Sequence, residues 1–489
     1  LYNLGLALKG LREYDDAVTK FREVIVRHPN HIGALNNLGT TLNGPTNKDE
    51  ALSSLKKAAD LAPEEYVIAY NLAKRQADYH EWENAEENYK NVLKINKNFE
   101  PANTNLANLM RDTGRLEEAI VIYGKLLSST SLLSSTHSNY IANLNYVCEG
   151  DNDFIYRESR EWSRRHSATK HTISSAFKNE RVPDRRLKIG YVSPDFRWHS
   201  NNYFFEPLLF SHHSENVETY CFSDNQYDDE ATKDLIRSAD NWRSILGMTD
   251  SEAVNLIRKD KIDILVDLTG HMANNRLTMF SLKPSPIQVT WLGYPNTTGL
   301  AAIDYRLADD ITDPEGDTDK HHSEKIFRIP DGFLCFRPPE VTPKIVNPPC
   351  KENKYITFGS FNNIAKLARV TIDNWAKVLH ETPGSRLYLK ALALSSQTAK
   401  ESIYHSFEKL GISRDRIDLA PRVTSTEEHL SLYRKIDIAL DTFPYNGTTT
   451  TFEALWMGVP VISLMGQRHA SRVGGSILLR LKLNEFVAA

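Results

Sequence analysis

The segment LDTFPYNGTTTTFEALWMGVPVI, residues 440–462, reads as a strand, a loop, a helix and the start of a second strand. An apolar run ends near Asp441, and a tight polar loop with Asn446 and Gly447 follows it. Threonines 448–451 then begin a helical pattern. A strand that leads through a short loop into a helix and a further strand is typical of a parallel sheet built from βαβ units.

The first turn of this helix is a candidate diphosphate-binding site. A helix N-terminus presents unpaired N–H groups and the positive end of the helix dipole. Thr448, Thr449 and Thr450 add hydroxyl groups there, and Glu453 follows within two turns. The alternative is an ordinary N-cap, for which one threonine would be enough. Four threonines after a glycine, at the end of a strand, favour a phosphate cradle.

The alternation of strands and helices extends outward over residues 187–489. Candidate strands are residues 187–193, 218–223, 263–268, 287–293, 324–329, 355–361, 386–391, 416–420, 436–442 and 459–464. Candidate helices include residues 250–259, 371–379 and 399–410. A Pro-rich stretch, residues 338–349, divides the pattern in two. We therefore predict two Rossmann-like lobes, in which ligands bind at the carboxyl ends of the strands.

Further polar side chains follow other candidate strands. The segment ITFGSFNNIAKLARVT, residues 356–371, places Asn363 and Lys366 beyond a strand. Lys366 alone could be an ordinary surface lysine, but beside the threonine loop it would neutralise a leaving diphosphate. The other strand-end candidates are His199, His271, Tyr294 and Pro295.

The first third of the chain has an internal repeat. Marker residues recur every 34 positions, as the tetratricopeptide pattern requires. The markers are Asn3, Asn37, Asn71 and Asn105; Ala17, Ala51, Ala85 and Ala119; and Phe21, Leu55, Tyr89 and Tyr123. Each unit is a helix pair that cannot bury its apolar face alone, so the units are expected to stack into a superhelix.

The four repeated asparagines allow two interpretations. They could hydrogen-bond within the repeats and support stacking. They could instead line the groove and bind the backbone of an extended peptide, because a side-chain amide both donates and accepts. The sequence leaves both open, and we take Asn3, Asn37, Asn71 and Asn105 as candidate peptide-binding residues.

Composition excludes several classes of protein. The net charge is −4, which argues against a nucleic-acid binder. The four cysteines are scattered without C-x-x-C spacing, so neither a disulfide framework nor a structural zinc site is expected, and a reducing compartment fits best. No apolar run reaches the roughly 18–20 residues of a membrane span.

The sequence gives little support for a metal site or for a different nucleotide-binding or hydrolase motif. Asp317, Asp319, His321 and His322 superficially resemble a ligand set, but their polar surroundings predict a solvated loop, and we expect no metal. Walker, G-x-G-x-x-G and nucleophile-elbow patterns are missing from the sequence.

Several motifs together resemble glycosyltransferase family 41, the O-GlcNAc transferases and SPINDLY proteins. They are GYVSPDF, LTGHMANN, WLGYPNTTGL, FGSFNNIAK and LDTFPYNGTTTT. The resemblance implies an α plus α/β fold, a repeat superhelix followed by a GT-B catalytic region of two Rossmann-like lobes. It implies inverting, metal-independent transfer of a sugar to Ser or Thr of proteins, without a cofactor, in the cytoplasm or nucleus. Protein acceptors would bind the repeat groove, and the repeats could mediate homo-oligomers.

The resemblance also assigns roles to residues. His199 matches the active-site histidine once proposed as the base, and Lys366 matches the lysine that contacts the diphosphate. Glu453 matches an acid that meets the ribose, and His429 a histidine near the nucleoside. The remaining expected donor-binding residues are Asn363, Asn446, Gly447, Thr448, Thr449, Thr450, Tyr294, Pro295 and His271.

Four departures concern the donor. The O-GlcNAc type has His, Tyr and Lys where this chain has Thr448, Ala365 and Thr426, and an Arg near Leu432. The motifs GHMANN, GYPNTTGL and FPYNGTTTT are closer to SPINDLY, whose members use GDP-fucose. We therefore favour GDP-fucose, with UDP-GlcNAc next. The rivals are a catalytically inactive repeat scaffold and a transferase acting on lipid or glycan.

The predicted domain organisation has five parts. They are repeats at 1–130, a helical connector at 131–186, an N-terminal lobe at 187–337, a linker at 338–352 and a C-terminal lobe at 353–489. The chain begins inside a repeat and stops soon after Phe486, so we expect it to be a fragment of a longer protein.

Overall fold

The computed structural model of the chain describes residues 1–147, 149–167 and 177–488. These residues form two compact units. The first contains residues 1–132 and 392–405, and the second contains residues 133–391 and 406–489.

The first unit consists mainly of paired helices. Their bounds are Tyr2–Gly10 (α1), Tyr14–Arg27 (α2), Ile32–Thr41 (α3), Lys48–Leu61 (α4), Tyr66–Asp78 (α5), Trp82–Ile95 (α6), Glu100–Asp112 (α7) and Leu116–Leu126 (α8). Each helix packs against the next one along the chain. This is the tetratricopeptide architecture that the 34-residue period predicts.

The repeat markers form the helix–helix interfaces. All four marker alanines are fully buried, and so are the large side chains four residues later. In the first two pairs, the first helix contributes a glycine at a close contact with the second helix. A Cβ on Gly5 would lie 2.7 Å from the Phe21 ring, and one on Gly39 would lie 2.5 Å from Cγ of Leu55. Small residues thus let the paired helices approach each other.

Residues 392–405 lie in the first unit, although the sequence places them within the C-terminal lobe. Trp82 Nε1 donates to Ser395 Oγ at 3.2 Å. The Glu83 carboxylate accepts from Ser396 Oγ at 2.6 Å and from the Thr398 N–H at 3.3 Å. Because these contacts join positions more than 300 residues apart, no local pattern indicates them.

The second unit begins with two helices, Ser134–Val147 (α9) and Asn152–His166 (α10). Their side chains are bonded to the N-terminal lobe. Ser138 Oγ lies 3.0 Å from His271 Nδ1, and Asn145 Nδ2 donates to the Tyr294 hydroxyl at 3.0 Å. Helix α9, which lies in the segment that the sequence predicts as a connector, is thus packed against the N-terminal lobe.

The N-terminal lobe is built on a seven-stranded parallel sheet of order β3-β2-β1-β4-β5-β6-β7. The strands are Leu187–Ser193 (β1), Val217–Ser223 (β2), Asn241–Ser244 (β3), Ile264–Asp267 (β4), Ile287–Thr290 (β5), Tyr305–Ala308 (β6) and Lys325–Arg328 (β7). Strands β3 and β6 were not predicted from the sequence. Both are four residues long and carry an internal arginine, so neither gives a continuous apolar run.

The C-terminal lobe has a second parallel sheet, of order β10-β9-β8-β11-β12-β13. Its strands are Thr357–Ser360 (β8), Arg386–Lys390 (β9), Ile417–Ala420 (β10), Ile438–Leu440 (β11), Val461–Leu464 (β12) and Val487–Ala488 (β13). In both sheets the strand order changes direction beside the first strand, which is where ligands bind in open parallel sheets.

The helices of the lobes lie between the strands along the chain. Their bounds are Asn202–Phe210 (α11), Glu230–Ser238 (α12), Asp250–Asp260 (α13), Leu277–Ser281 (α14), Cys350–Asn353 (α15), Arg369–Glu381 (α16), Gln397–Glu408 (α17), Thr426–Ser431 (α18), Thr449–Trp456 (α19) and Val473–Arg480 (α20). Helix α20 contributes Val473 and Ile477 to the apolar core of the N-terminal lobe.

Polar contacts also join the lobes. Loop residues 309–313 face α20 and the turn before it. His469 Nδ1 lies 2.6 Å from the fully buried Asp313 carboxylate. Nearby, His322 Nε2 lies 3.9 Å from the same carboxylate, and the His322 side chain is only 5% exposed. The prediction of a solvated loop is therefore wrong for His322, because its ring packs against this interlobe carboxylate.

Candidate functional site

Two adjoining cavities open at the carboxyl ends of strands β1, β8 and β11. The smaller has a volume of about 450 Å³ and is lined by residues that include His199, Lys366 and Thr448. The larger has a volume of about 650 Å³ and is lined by residues that include His429 and Glu453. Both are lined by His199, Ser200, Thr449 and Thr450. The structure thus brings the main sequence-predicted site residues together.

Lys366 occupies the wall of the smaller cavity. Its Nζ donates to the Asn446 carbonyl oxygen at 2.7 Å and lies 4.2 Å from the centroid of the Tyr445 ring. Burial lowers the pKa of Lys366 to about 8, against the opposing effect of the Asp441 carboxylate. Near neutral pH this side chain is a cation whose nearest partners are uncharged, so its charge is available to an anionic ligand.

The loop between β11 and α19 is shaped by Asp441. One carboxylate oxygen accepts from the N–H of Gly447 at 2.6 Å and of Thr442 at 2.9 Å, and the other accepts from Ser463 Oγ at 2.7 Å. Burial raises the pKa of Asp441 to about 6. A Cβ on Gly447 would lie 2.5 Å from Thr450 Oγ1, so a side chain at this position would be too close to the helix start. Asn446 and Gly447 are buried and act by shaping this loop.

Helix α19 begins directly after this loop, with Thr448 at its N-cap. The three threonines 448–450 are partly exposed and line the smaller cavity. Thr450 Oγ1 donates to the side-chain oxygen of Asn362 at 3.0 Å, which links the loops after β8 and β11. Asn363 is exposed and lines the same cavity. The helix N-terminus and its hydroxyl groups therefore have the geometry of a candidate anion-binding site.

The larger cavity contains a hydrogen-bonded chain of charged and polar groups. Lys390 Nζ donates to His429 Nδ1 at 2.6 Å, and His429 Nε2 donates to Glu453 at 2.9 Å. The Tyr433 hydroxyl also donates to Glu453, at 3.3 Å. Burial lowers the pKa of Lys390 to about 8. Lys390 was not predicted from the sequence, although a lysine that ends the apolar strand β9 is a detectable signal.

His199 lies in the loop after β1. Its Nδ1 accepts from the Asn201 N–H at 3.3 Å and is 3.8 Å from the Asp195 carboxylate. Burial lowers the pKa of His199, although Asp195 opposes the shift. A neutral ring whose Nδ1 accepts a hydrogen bond carries its proton on Nε2. In this geometry the Nε2–H group of His199 can donate a hydrogen bond.

Five predicted donor-binding residues line neither cavity: Asn446 and Gly447, which belong to the loop already described, and His271, Tyr294 and Pro295. The last three are buried elsewhere in the N-terminal lobe. His271 is fully buried, and its ring nitrogens contact Ser138 Oγ and the Thr298 carbonyl. Tyr294 is 2% exposed, with its hydroxyl bonded to Asn145, and Pro295 is buried too. The geometry contradicts direct donor contact for these three, because their side chains support the site from behind. Their neighbours in sequence, Met272 and Gly293, line the smaller cavity instead.

The repeated asparagines connect successive repeats. Three of their side-chain amides donate to the side chain found 35 positions earlier. The bonds are Asn37 to the Tyr2 hydroxyl at 3.1 Å, Asn71 to Asn36 at 2.9 Å and Asn105 to the Tyr70 hydroxyl at 3.0 Å. Asn3 is exposed. These bonds favour the stacking interpretation, and peptide binding by the same residues stays a prediction.

Two kinds of feature are not found in the part of the chain that the structure describes. Within ranges 1–147, 149–167 and 177–488, no three His, Cys, Asp or Glu side chains are arranged as a metal site. Over the same ranges, no helix combines the length and the apolar character that a membrane span requires.

Known proteins are similar to this chain in sequence and in fold. The family model described as Glycosyl transferase family 41 matches residues 165–343 and 350–489, and a Tetratricopeptide repeat model matches residues 1–31. A solved structure of a mutant O-GlcNAc transferase from Thermobaculum terrenum superposes with a TM-score of 0.87 at 30% identity, covering 94% of this chain and 86% of that one.

Curated relatives carry related names. A probable UDP-N-acetylglucosamine–peptide N-acetylglucosaminyltransferase SPINDLY of Oryza sativa subsp. japonica is 42% identical over 371 residues, 75% of this chain and 40% of the relative. A protein of Arabidopsis thaliana with the same enzyme name, SEC, is 31% identical over 306 residues, 60% of this chain and 31% of the relative. The chain thus spans 40% or less of these relatives. The matched family model covers well over half of this chain, which therefore belongs to glycosyl transferase family 41.

Proposed function

We propose that the chain is an inverting protein O-glycosyltransferase that moves a sugar from a nucleotide sugar to Ser or Thr. One observation carries the proposal: Lys366 and the N-terminal threonines of α19 line a single cavity at the strand ends. A buried cation beside a helix N-terminus is the chemistry that a diphosphate requires. The family membership and the relatives' names support the same activity.

The proposed reaction is one direct displacement. The acceptor oxygen attacks the anomeric carbon while the bond from that carbon to the β-phosphate oxygen breaks. The nucleoside diphosphate leaves with its electron pair towards Lys366 and the α19 N-terminus. The acceptor hydroxyl loses its proton to a base. Stabilising the charge on the leaving group is expected to be the largest catalytic contribution, with proximity of acceptor and donor adding to it.

For His199 the geometry favours an orienting role over that of base. Its Nδ1 already accepts from Asn201, so the neutral ring would present Nε2–H. Such a donor would hold the acceptor or the sugar by a hydrogen bond. In a transfer assay, His199→Gln should then retain more activity than His199→Phe, because glutamine still donates. Equal losses in the two variants would instead favour the base.

The larger cavity is the proposed nucleoside site. Its buried Glu453 would accept from ribose hydroxyls, as the family resemblance implies, with His429 and Lys390 held beside it. Thr448, Ala365, Thr426 and Leu432 differ from the O-GlcNAc type, so GDP-fucose is the favoured donor. UDP-GlcNAc is the second candidate and is supported by the relatives' names. The reaction as proposed requires neither a metal nor a cofactor.

The repeats are the proposed binding region for protein acceptors and a proposed surface for homo-oligomers. A cytoplasmic or nuclear location fits this role and the family. The other candidate function is an inactive scaffold, in which the charged groups of the site would be lost. His199, Lys366 and Glu453 are all present at the cavities, which favours an enzyme.

A donor screen tests the proposal. The purified chain is mixed with a panel of UDP- and GDP-sugars and followed by thermal shift, sugar-nucleotide hydrolysis and transfer to a protein extract. We expect stabilisation and turnover with one donor, GDP-fucose first. Lys366→Ala should reduce turnover by about 10²–10³, the rate cost of losing one charge-stabilising donor.

The matched control is Lys377→Ala, which removes an exposed lysine on α16 that lines neither cavity. It should leave turnover unchanged. Full activity of Lys366→Ala would remove the leaving-group role. Nucleotide binding with no hydrolysis or transfer for any donor would support the scaffold.

A further inference from the structure

The position of Lys366 is set by uncharged groups. Its ammonium group contacts the Asn446 carbonyl oxygen at 2.7 Å and lies over the Tyr445 ring at 4.2 Å. An ion pair in the same place would fix the side chain but would also cancel its charge. A carbonyl and an aromatic face hold a cation while leaving its charge available to a ligand.

The Tyr445 ring is itself supported by a second aromatic ring. Tyr146 stacks on it with a centroid separation of 5.0 Å and an interplanar angle of 27°. Tyr146 is 9% exposed, and both tyrosines line the smaller cavity. Offset stacked rings of this kind stabilise each other's position. The orientation of the Tyr445 face therefore depends on Tyr146.

Tyr146 comes from helix α9, outside the two lobes in sequence. The preceding residue, Asn145, fixes the end of this helix. It donates to the Tyr294 hydroxyl at 3.0 Å, and its side-chain oxygen accepts from Asn296 at 3.0 Å and from Arg468 at 3.3 Å. These partners come from both lobes, so α9 is held in place where Tyr146 reaches the cavity.

We propose that Tyr445 and Tyr146 are positioning residues for Lys366, and that α9 thereby supplies part of the catalytic site. The inference rests on the proposed role of Lys366 in the leaving of the diphosphate. Neither tyrosine need touch the donor in this arrangement. Their effect is to hold the ammonium group where the leaving charge develops, which should appear mainly in kcat.

The test compares rings with aliphatic side chains. Tyr445→Leu and Tyr146→Leu remove the aromatic face, whereas Tyr445→Phe and Tyr146→Phe keep it. With the donor that the screen identifies, the leucine variants should lose roughly tenfold in kcat, which lies between the effects of an exposed and of a desolvated cation–π contact. The KM for the donor should change by less than about twofold, and the phenylalanine variants should stay within about twofold of the wild type.

Two controls accompany these variants. Tyr355→Leu removes an exposed ring that lies under Arg386, at 6.0 Å and outside both cavities, and should not change kcat. Lys366→Ala gives the loss of kcat that is expected when the lysine itself is removed. Thermal unfolding identifies any variant that is poorly folded. If Tyr445→Leu is poorly folded, the test rests on Tyr146→Leu, because that substitution leaves the loop after β11 intact.

The outcomes separate the two proposals. Wild-type kcat in the leucine variants, beside a strongly impaired Lys366→Ala, would overturn the inference and leave the proposed function standing. Phenylalanine variants as impaired as the leucine variants would also overturn it, since the hydroxyl groups and not the ring faces would then matter. Full activity in Lys366→Ala would overturn the proposed role of the lysine itself.

Discussion

Lys366 and Lys390 are two lysines that burial holds at a pKa of about 8. They face different cavities, and only Lys366 lies beside the α19 N-terminus. Below this pKa the side chain is a cation, and above it the side chain is neutral. The activity of the free enzyme towards the donor should therefore depend on pH in the range where these lysines titrate.

We expect kcat/KM for the donor to fall as pH rises through about 8, by about tenfold per unit, because kcat/KM reports the free enzyme. The corresponding fall in kcat, the alkaline limb of its pH profile, should lie at higher pH, since a bound diphosphate stabilises the ammonium form. Rates measured across the alkaline range check this.

The control for this profile is Lys390→Met. It removes the other lysine of similar pKa, so the alkaline limb should persist whatever the absolute rate. Disappearance of the limb in Lys390→Met would assign it to Lys390 and contradict the role given to Lys366.

Single residues were predictable where a motif and a strand end coincide. Lys366, His199 and the three threonines follow strands and face the cavities. His271 and Tyr294 follow strands as well, but tertiary contacts with α9 bury them. Sequence position gives the strand end and not the direction of the side chain. Tyr146 was missed because its partner, Tyr445, is about 300 residues away.

At the scale of the helix pair, close contacts decide which glycines can be replaced. A Cβ on Gly39 in α3 would meet the Ala51 carbonyl oxygen at 2.7 Å. Around Gly124 in α8, such a Cβ would meet no atom of the described residues within 4 Å apart from its chain neighbours and the adjacent backbone of its own helix. Gly39→Ala should destabilise the protein by about 1–3 kcal/mol through overpacking. Gly124→Ala should stabilise it by up to about 1 kcal/mol through helix propensity.

Chemical denaturation followed by circular dichroism compares the two glycine variants. Equal effects of the two substitutions would contradict the close approach of α3 and α4. The marker alanines predicted this approach from sequence, because a small residue that recurs every 34 positions is typical of tightly paired repeat helices. The short strands β3 and β6 could not be found in the same way, since sheet pairing and not their own composition stabilises them.

At the scale of the whole second unit, the lobes are joined by polar contacts of two kinds. Asp313 is fully buried against His469 at 2.6 Å, whereas Asp310 pairs with Arg480 at 2.5 Å and is 73% exposed. Removing one partner of a buried pair costs about 3–5 kcal/mol. An exposed pair contributes about 0–1 kcal/mol.

Asp313→Ala should therefore lower the free energy of unfolding by about 3–5 kcal/mol, and Asp310→Ala by less than about 1 kcal/mol. Denaturation midpoints of the two variants, measured side by side, check the difference. Similar midpoints would show that the buried carboxylate does not hold the lobes together. No sequence pattern indicated this pair, since its partners are about 150 residues apart.

The packing of α9 against the lobes bears on which part of the chain the proposed activity requires. A polypeptide trimmed to the two Rossmann-like lobes, from β1 onward, would keep every motif by which the family is recognised. It would nevertheless lack Tyr146, whose aromatic ring lines the smaller cavity. Under the proposed function, the smallest active polypeptide should therefore be longer than the stretch that carries the family motifs, and it should include helix α9.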